Sequence, residues 1–265
     1  MVDISDQDRD AFHPEYQHTQ NPNTNTQTTS TALNIGKVFL YMFAGLLITA
    51  LVAFGVGAIV AYGIGINGDY SEEIAENILM GYLIALVVSA VLLLVDMIII
   101  NVVILKGKHS ILVPGIIYAV LVGVLFSMLT IVVDWRIIGM AFGVTALAFL
   151  IMSLIAFLSK GSMAPLLVVI IGLGIGVGLL ALFNWLFMLI SGSGFQALYW
   201  IVTFGIFALV IFITIFDLWR IKKIAENGQM NNNLALYCAF VMYTDFINVF
   251  IRVLYFLLII FGKKR

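Results

Sequence analysis

Charged residues are scarce in this 265-residue chain: Asp, Glu, Lys and Arg together make up 10% of it, whereas 63% is hydrophobic. A soluble domain carries about 25% charged residues. The low charge and the mean hydropathy of +1.13 exclude an ordinary water-soluble fold and predict an all-α integral membrane protein. The net charge is −1 and no broad basic face is present, so we expect no nucleic-acid partner.

Residues that build covalent and metal sites are equally rare. The single cysteine, Cys238, excludes an internal disulfide, and we interpret it as an apolar residue of the last helix. No histidine lies inside an apolar run, which excludes a His-Glu-x-x-His metalloprotease of the membrane. A retinal protein needs a lysine within the last run, but Lys263 and Lys264 lie past its end. We expect no enzymatic activity and no cofactor.

Seven apolar runs follow one another along the chain, and each exceeds the roughly 20 residues that cross a bilayer as a helix. They cover approximately residues 36–62, 75–105, 112–133, 137–159, 164–190, 196–224 and 233–262. The pattern predicts a seven-transmembrane-helix bundle in one membrane domain over residues 35–265. Residues 1–34 are acidic and then rich in Asn, Gln and Thr, which predicts a disordered polar tail.

The connecting turns predict the orientation. Basic residues lie in the turns after the second and fourth runs and at the end of the sixth run: Lys106, Lys108, Lys160, Arg220, Lys222 and Lys223. The turn between the first two runs is acidic. Since positive residues favour the cytoplasm, we expect a cytoplasmic N-terminus in a multi-pass protein of the plasma (cell) membrane. The basic C-terminus conflicts with a fully crossing seventh run, although we favour crossing.

A glycine-rich stretch, residues 172–178 (GLGIGVG), superficially resembles a nucleotide-binding loop. Such a loop needs a strand before it and a soluble helix after it. Here the glycines lie inside an apolar run at small-x-x-x-small spacing, which favours close packing of helices in lipid. Gly55 and Gly57 of the first run have the same interpretation.

Two aspartates in the last third of the chain predict one site. Asp217 lies 11 residues before Gly228, and Asp245 lies 13 residues after Asn232. At 1.5 Å per residue these distances are about 16 and 20 Å from the turn, so an antiparallel hairpin places the carboxylates nearly level. Gly228 predicts a helix C-cap, and the asparagines that follow predict an N-cap. We expect the two carboxylates to share a proton and a hydrogen bond, because adjacent carboxylates do not both ionise easily.

Other polar residues inside the runs extend this candidate site. Asp96 lies about 16 Å from the turn at Gly107, so we expect it to join the acidic layer. Asn248 and Arg252 share one helical face with Asp245. Arg252 is the candidate replacement cation, but it lies two turns from Asp245, about 10 Å, so we expect it to meet another helix or water instead of pairing directly. Three alternatives stay open: Asp217 pairs with Arg220 at the interface, Asp96 is tied off by Ser89 or Asn101, and Arg252 has a purely structural role.

Three short motifs, in this order, resemble those of the Bax inhibitor-1 family. They are YAVLVGVLFS at 118–127, FDLWRIKK at 216–223 and YTDFIN at 243–248. The resemblance covers about residues 36–262 and suggests a bacterial-type member. It implies that the seventh helix is central. Relatives commonly place an arginine in the second span, but this chain has no Lys or Arg between Lys37 and Lys106.

The function implied by the resemblance is a pH-sensitive calcium leak channel, linked in eukaryotic relatives to suppression of cell death. Asp217 and Asp245 would then be the metal-contacting residues, and lipid, calcium and protons the partners. Calcium prefers six to eight oxygen ligands, so the two aspartates supply only part of its shell. Two alternatives stay open. One is a proton-coupled transporter of ions or small solutes, and the other is a non-conducting membrane interaction protein that regulates cell death or stress.

Overall fold

A computed structural model of the chain describes residues 22–63, 72–106, 110–192 and 194–262. Within these residues the chain forms seven α-helices, each long and apolar enough to cross a membrane. They are α1 (Pro22–Gly63), α2 (Glu72–Lys106), α3 (Leu112–Val132), α4 (Trp135–Leu158), α5 (Ala164–Ser191), α6 (Gln196–Glu226) and α7 (Asn232–Gly262). The predicted all-α bundle is confirmed. The predicted turn residues 64–71 and 107–109 and the basic C-terminus at 263–265 lie outside the described residues.

The N-terminal boundary differs from the prediction. The first helix begins at Pro22, so residues 22–34, which we assigned to a disordered tail, are helical. Proline fits the first turn of a helix because its missing N–H has no intrahelical partner to lose there. Extending an existing helix costs less than nucleating a new one, so the polar segment continues the helix that the apolar run starts. Residues 1–21 lie outside the described residues, so the rest of the tail stays a prediction.

The last helix, α7, occupies the centre of the bundle. It packs against α1, α4 and α6 and also touches α2 and α3. Its core residues are Ala235, Cys238, Ala239, Met242, Tyr243, Phe246, Val249, Phe250, Val253 and Leu254. The central position of this helix is therefore confirmed, and Cys238 is buried among apolar neighbours as the sequence predicts.

In contrast, α5 lies at the edge of the bundle. Among the described helices it packs closely only against α6, and Val177 is its one buried residue. The prediction that its glycines allow close packing is wrong, because a Cβ at Gly172, Gly176 or Gly178 would meet no atom within 4 Å. The close approach involves Gly205 of α6, where a Cβ would lie 2.6 Å from Val177 Cγ2. A helix with a single neighbour leaves most of its glycines facing lipid.

The first and third helices form the most extensive helix pair. At Gly123 of α3, an added Cβ would lie 2.7 Å from the Cβ of Val52 on α1. At Gly57 of α1, an added Cβ would collide with the Thr130 side chain of α3. Small residues let two backbones approach in lipid. The expectation for Gly57 is confirmed, whereas Gly55 has open space around it.

The turn between α6 and α7 sets how these two helices meet. Gly228 has a φ of +67°, and its N–H donates to the Ala225 carbonyl at 3.2 Å. This is the left-handed C-cap that glycine favours. The Asn231 side chain accepts the Leu234 N–H at 2.8 Å and caps α7. Both predicted caps are confirmed, and the short turn makes the two helices antiparallel neighbours.

Candidate functional site

Two aspartates on neighbouring helices form the candidate site. Asp245 lies on α7 with 7% of its surface exposed, and Asp217 lies half-buried on α6. Their carboxylates are close enough for the two charges to interact. The structure therefore brings together the two residues, hereafter the aspartate pair, that the sequence assigns to one site.

Asp245 has an unsatisfied oxygen. Its Oδ2 atom is buried and has no hydrogen-bond partner among the residues that the structure describes. Burying an ionised carboxylate without a partner is costly, so such a group normally takes up a proton or meets a cation. Ionisable residues inside a membrane bundle commonly mark ion or proton pathways. The lone oxygen on the central helix is thus the strongest functional signal in the described residues.

The charge of Asp217 acts on Asp245. The shared proton and the hydrogen bond that we expected to join α6 and α7 stay a prediction. The positive charge of Arg220, one turn further along α6, acts on Asp217. The alternative in which Asp217 pairs with Arg220 is only partly met, because among the described residues the two side chains form no ion pair. Asp217 has a counter-charge nearby, and Asp245 has none.

Asp96 is buried on α2 in different surroundings. It is 6% exposed, and its Oδ2 atom also has no hydrogen-bond partner. Its charge acts on Tyr118 of α3, while the only charge that acts on Asp245 is that of Asp217. Among the described residues neither Ser89 nor Asn101 bonds to this oxygen, and the Asn101 amide donates to a carbonyl of its own helix at 2.8 Å. Because α2 packs on α3 and barely touches α7, Asp96 lies apart from the aspartate pair.

The other two candidate residues of α7 do not join the pair either. Asn248 is exposed and Arg252 is half-buried. The charge of Arg252 acts on Tyr255, whose hydroxyl is hydrogen-bonded to Tyr199 of α6. Arg252 is therefore not the counter-charge of Asp245 in this structure. A shared helical face did not bring these side chains together, because two turns separate Asp245 from Arg252.

A hydroxyl cluster on another side of α7 was missed by the sequence reasoning. The hydroxyls of Tyr243 and Thr49 lie 2.6 Å apart, and Thr49 donates to the Ala119 carbonyl at 3.0 Å. Since Thr49 has one proton, which it donates to Ala119, the Tyr243 hydroxyl donates to Thr49. The Tyr118 ring meets Tyr243 edge-on at 6.1 Å. Tyr118 and Tyr243, each the first residue of a family-like motif, were the signals available from the sequence.

Side chains near the C-terminal end of α6 donate hydrogen bonds to carbonyls at the C-terminal end of α4. Lys222 Nζ donates to the carbonyls of Phe157 and Ser159 at 2.8 and 2.9 Å, and Trp219 Nε1 donates to the Gly161 carbonyl at 3.2 Å. A lysine in this position satisfies free carbonyls and opposes the negative end of the helix dipole. The C-terminal ends of α4 and α6 therefore lie on the same side of the bundle. These contacts anchor the helix that carries Asp217.

Nearly the whole membrane domain matches a known protein family. A family model described as Bax1-I, inhibitor of apoptosis-promoting Bax1, matches residues 32–263. The chain belongs to this family. The match begins within α1 and extends past α7, so it includes the aspartate pair. A comparison with curated proteins finds no match.

The third-span motif that carried the resemblance to the family has a structural explanation. Tyr118 contacts Tyr243 of α7, and Gly123 permits the close approach of α1. A hydrogen bond of 2.9 Å joins the Ser127 hydroxyl to the Tyr82 hydroxyl of α2. One ten-residue motif thus joins α3 to three other helices.

The family motifs do not build a closed metal site here. Among the described residues, no group of three or more His, Cys, Asp and Glu side chains is placed to hold a metal ion. The aspartate pair contributes two carboxylates, whereas calcium takes six to eight oxygen ligands. Water or carbonyl oxygens would have to complete the shell. This arrangement suits a passing cation better than a permanently bound one.

Proposed function

We propose that this protein is a pH-sensitive calcium leak channel in which the aspartate pair acts as the proton sensor and the first cation contact. The observation that carries the proposal is the buried, unpartnered Oδ2 atom of Asp245 on the central helix. Asp217 lies beside it. A proton or a cation is the occupant that such an oxygen requires.

The proposed gate depends on proton occupancy. One proton on the pair leaves a single negative charge, which the closed bundle tolerates. When pH rises and that proton is lost, two anions face each other in poorly solvated surroundings and repel. Protonation therefore favours the closed form, and this stabilisation disappears as pH rises, so calcium flux increases from acidic to alkaline pH.

The proposed cation contact follows from the same charges. A pair that has lost its proton offers hard carboxylate oxygens, which suit Ca²⁺. A partial shell also lets the ion leave, and conduction requires binding that is weak enough for release. Lys222 and Arg220 at the end of α6 lie on the side that we propose to be cytoplasmic, in the cell membrane.

The decisive experiment measures ⁴⁵Ca²⁺ uptake into proteoliposomes that contain the full chain, over a series of pH values. We expect uptake above that of protein-free liposomes, increasing with pH. Uptake that occurs only with an imposed proton gradient would favour a proton-coupled transporter instead. Absence of uptake at every pH from correctly folded protein would favour a non-conducting interaction protein.

A further inference from the structure

A large apolar cavity lies between α1, α3, α4 and α7, away from the aspartate pair. Its volume is about 630 Å³, within the range of about 300–1,000 Å³ that is typical of ligand sites. The cavity exists because α4 packs against α6 and α7 but not closely against α1 or α3 in the described part of the bundle. Phe246 and Phe250 of α7 form its inner wall.

The lining indicates an apolar occupant. Its two hydroxyl side chains, Thr49 and Thr130, are both satisfied by the protein. Thr49 bonds to Tyr243 and to a carbonyl of α3, and Thr130 donates to the Ser127 carbonyl at 2.7 Å. Water requires two to four polar partners, and these two threonines have no proton left to donate to it. Hydrocarbon fills such a space without losing hydrogen bonds.

The position of the cavity indicates which hydrocarbon it takes. Its lining runs from Leu46 to Phe54 along α1, a rise of about 12 Å at 1.5 Å per residue. This is less than half of the roughly 30 Å hydrocarbon core, so the cavity is too short to cross the membrane. The exposed side chains Phe54 and Phe142 in its lining are 52% and 44% accessible. The opening therefore faces the membrane between α1 and α4.

The end of the cavity at the α3–α4 turn has the chemistry of a lipid headgroup region. Trp135, which is 71% exposed, lines the cavity, and tryptophan is enriched at membrane interfaces. The Arg136 guanidinium lies 5.7 Å from the centre of the Trp135 ring and is exposed. The neighbouring Asp134 carboxylate accepts the backbone N–H of Arg136 as the cap of α4, so it faces the helix start. Arginine pairs readily with phosphate.

We propose that this cavity is a phospholipid site. One acyl chain inserts between α1 and α4 against Phe246 and Phe250, and the phosphate contacts Arg136 beside Trp135. The site is independent of the proposed calcium flux, since none of its residues belongs to the aspartate pair.

The test uses the full chain in nanodiscs of phosphatidylethanolamine and phosphatidylglycerol that contain a phospholipid with a photoreactive acyl chain. Gly139 lines the cavity, and a Cβ there would meet no atom within 4 Å. Gly139→Leu therefore places a side chain in the space without a clash. Gly143→Leu is the matched control, because Gly143 lies one turn further along α4, is equally open and does not line the cavity.

In the wild type we expect cross-links concentrated on cavity residues such as Phe142 and Phe246. Gly139→Leu should reduce them by about tenfold, because its side chain displaces several methylene groups of the lipid, and Gly143→Leu should not. Gly139→Val, a smaller change, should give an intermediate loss if the leucine variant folds poorly. Labelling that is equal in wild type and both Gly139 variants would overturn the proposal.

A second arm identifies the headgroup contact. Arg136→Gln should lower the cross-linking yield of the phospholipid but leave that of a photoreactive diacylglycerol, which has no phosphate, unchanged. Diacylglycerol labelling at the cavity with no phospholipid labelling would show that the occupant is not a phospholipid. Phospholipid labelling that is indifferent to Arg136 would overturn the phosphate contact with Arg136.

Discussion

The polar residues on two sides of α7 differ in whether their hydrogen-bonding groups have partners. Tyr243, on the side that meets α1 and α3, has its hydroxyl bonded to Thr49 at 2.6 Å and its ring against Tyr118. Asp245, only two residues further on, has a buried oxygen without a partner. Both residues are less than 10% exposed, so burial alone does not explain the difference.

The difference lies in the neighbouring helices. The approach of α1 to α3 through Gly123 is tight enough to bring the Thr49 hydroxyl within bonding distance of the Tyr243 hydroxyl and the Ala119 carbonyl. On the α6 side, the charge that acts on Asp245 is that of another acid, Asp217, and two acids satisfy each other only when they hold a proton. A fully satisfied buried group stabilises one structure, whereas an unsatisfied one responds to pH or ions. We expect the Tyr243 side to be structural and the Asp245 side to be switchable.

The largest effect is expected at the aspartate pair, and its absence would contradict the contrast between the two sides of α7. Two unit charges about 4 Å apart repel by about 4 kcal/mol at an effective dielectric of about 20. This is an upper limit, equivalent to a change of up to about a thousandfold in the ratio of open to closed forms.

Asp217→Asn or Asp245→Asn removes the repulsion and should flatten the pH dependence of calcium uptake. The double variant should add little, because both changes act on one unit. Independent, additive shifts of the pH midpoint would contradict a shared site.

A smaller effect should follow from loosening the tight side. Gly123→Ala forces a Cβ into Val52 and should destabilise the protein by about 1–3 kcal/mol, measured as the free energy of unfolding in detergent micelles. Gly115→Ala on the same helix is the control, because its Cβ would meet no atom within 4 Å. The control should be neutral or more stable by up to about 1 kcal/mol, since alanine favours helix. Equal losses in both variants would refute a special role for Gly123.

A still smaller loss should result from removing one hydroxyl. Tyr243→Phe deletes the bond to Thr49 and should lower the free energy of unfolding by about 1 kcal/mol. The loss is modest because Thr49 keeps its bond to the Ala119 carbonyl. The pH midpoint of calcium uptake should not move. Tyr237→Phe, at a half-buried position of the same helix, is the control for the removal of a tyrosine hydroxyl as such. A changed pH midpoint in Tyr243→Phe alone would mean that the tight side also takes part in gating.

The smallest effect is expected at Asp96. Its charge acts on Tyr118 and not on Asp245, so Asp96→Asn should leave the pH midpoint of calcium uptake unchanged. The measurement is the same pH series, with expression and folding checked by size-exclusion chromatography. A clear shift of the midpoint would restore the sequence-based hypothesis that Asp96 joins the acidic layer.

Several features of this protein followed from the sequence by itself. The number of spans followed from the length of the apolar runs, because a bilayer needs about 20 apolar residues per helix. The caps at Gly228 and Asn231 followed from local backbone chemistry. The pairing of Asp217 with Asp245 followed from counting along two helices joined by a short turn. Each of these depends on residues near one another in the chain.

Only the tertiary structure decided which polar groups meet across the bundle. Asp96 was predicted at the same depth as the aspartate pair, but depth does not reveal which helix lies opposite, and α2 packs on α3 with little contact to α7. The glycines of α5 have the spacing of a packing motif, but among the described helices α5 packs closely only against α6, and an added Cβ at Gly172, Gly176 or Gly178 would meet no atom within 4 Å. Thr49 and Tyr243 are 194 positions apart in sequence, and nothing local links them. The physical reason is that helix periodicity fixes the faces of each helix, while the order of neighbours around α7 depends on how all seven helices pack together.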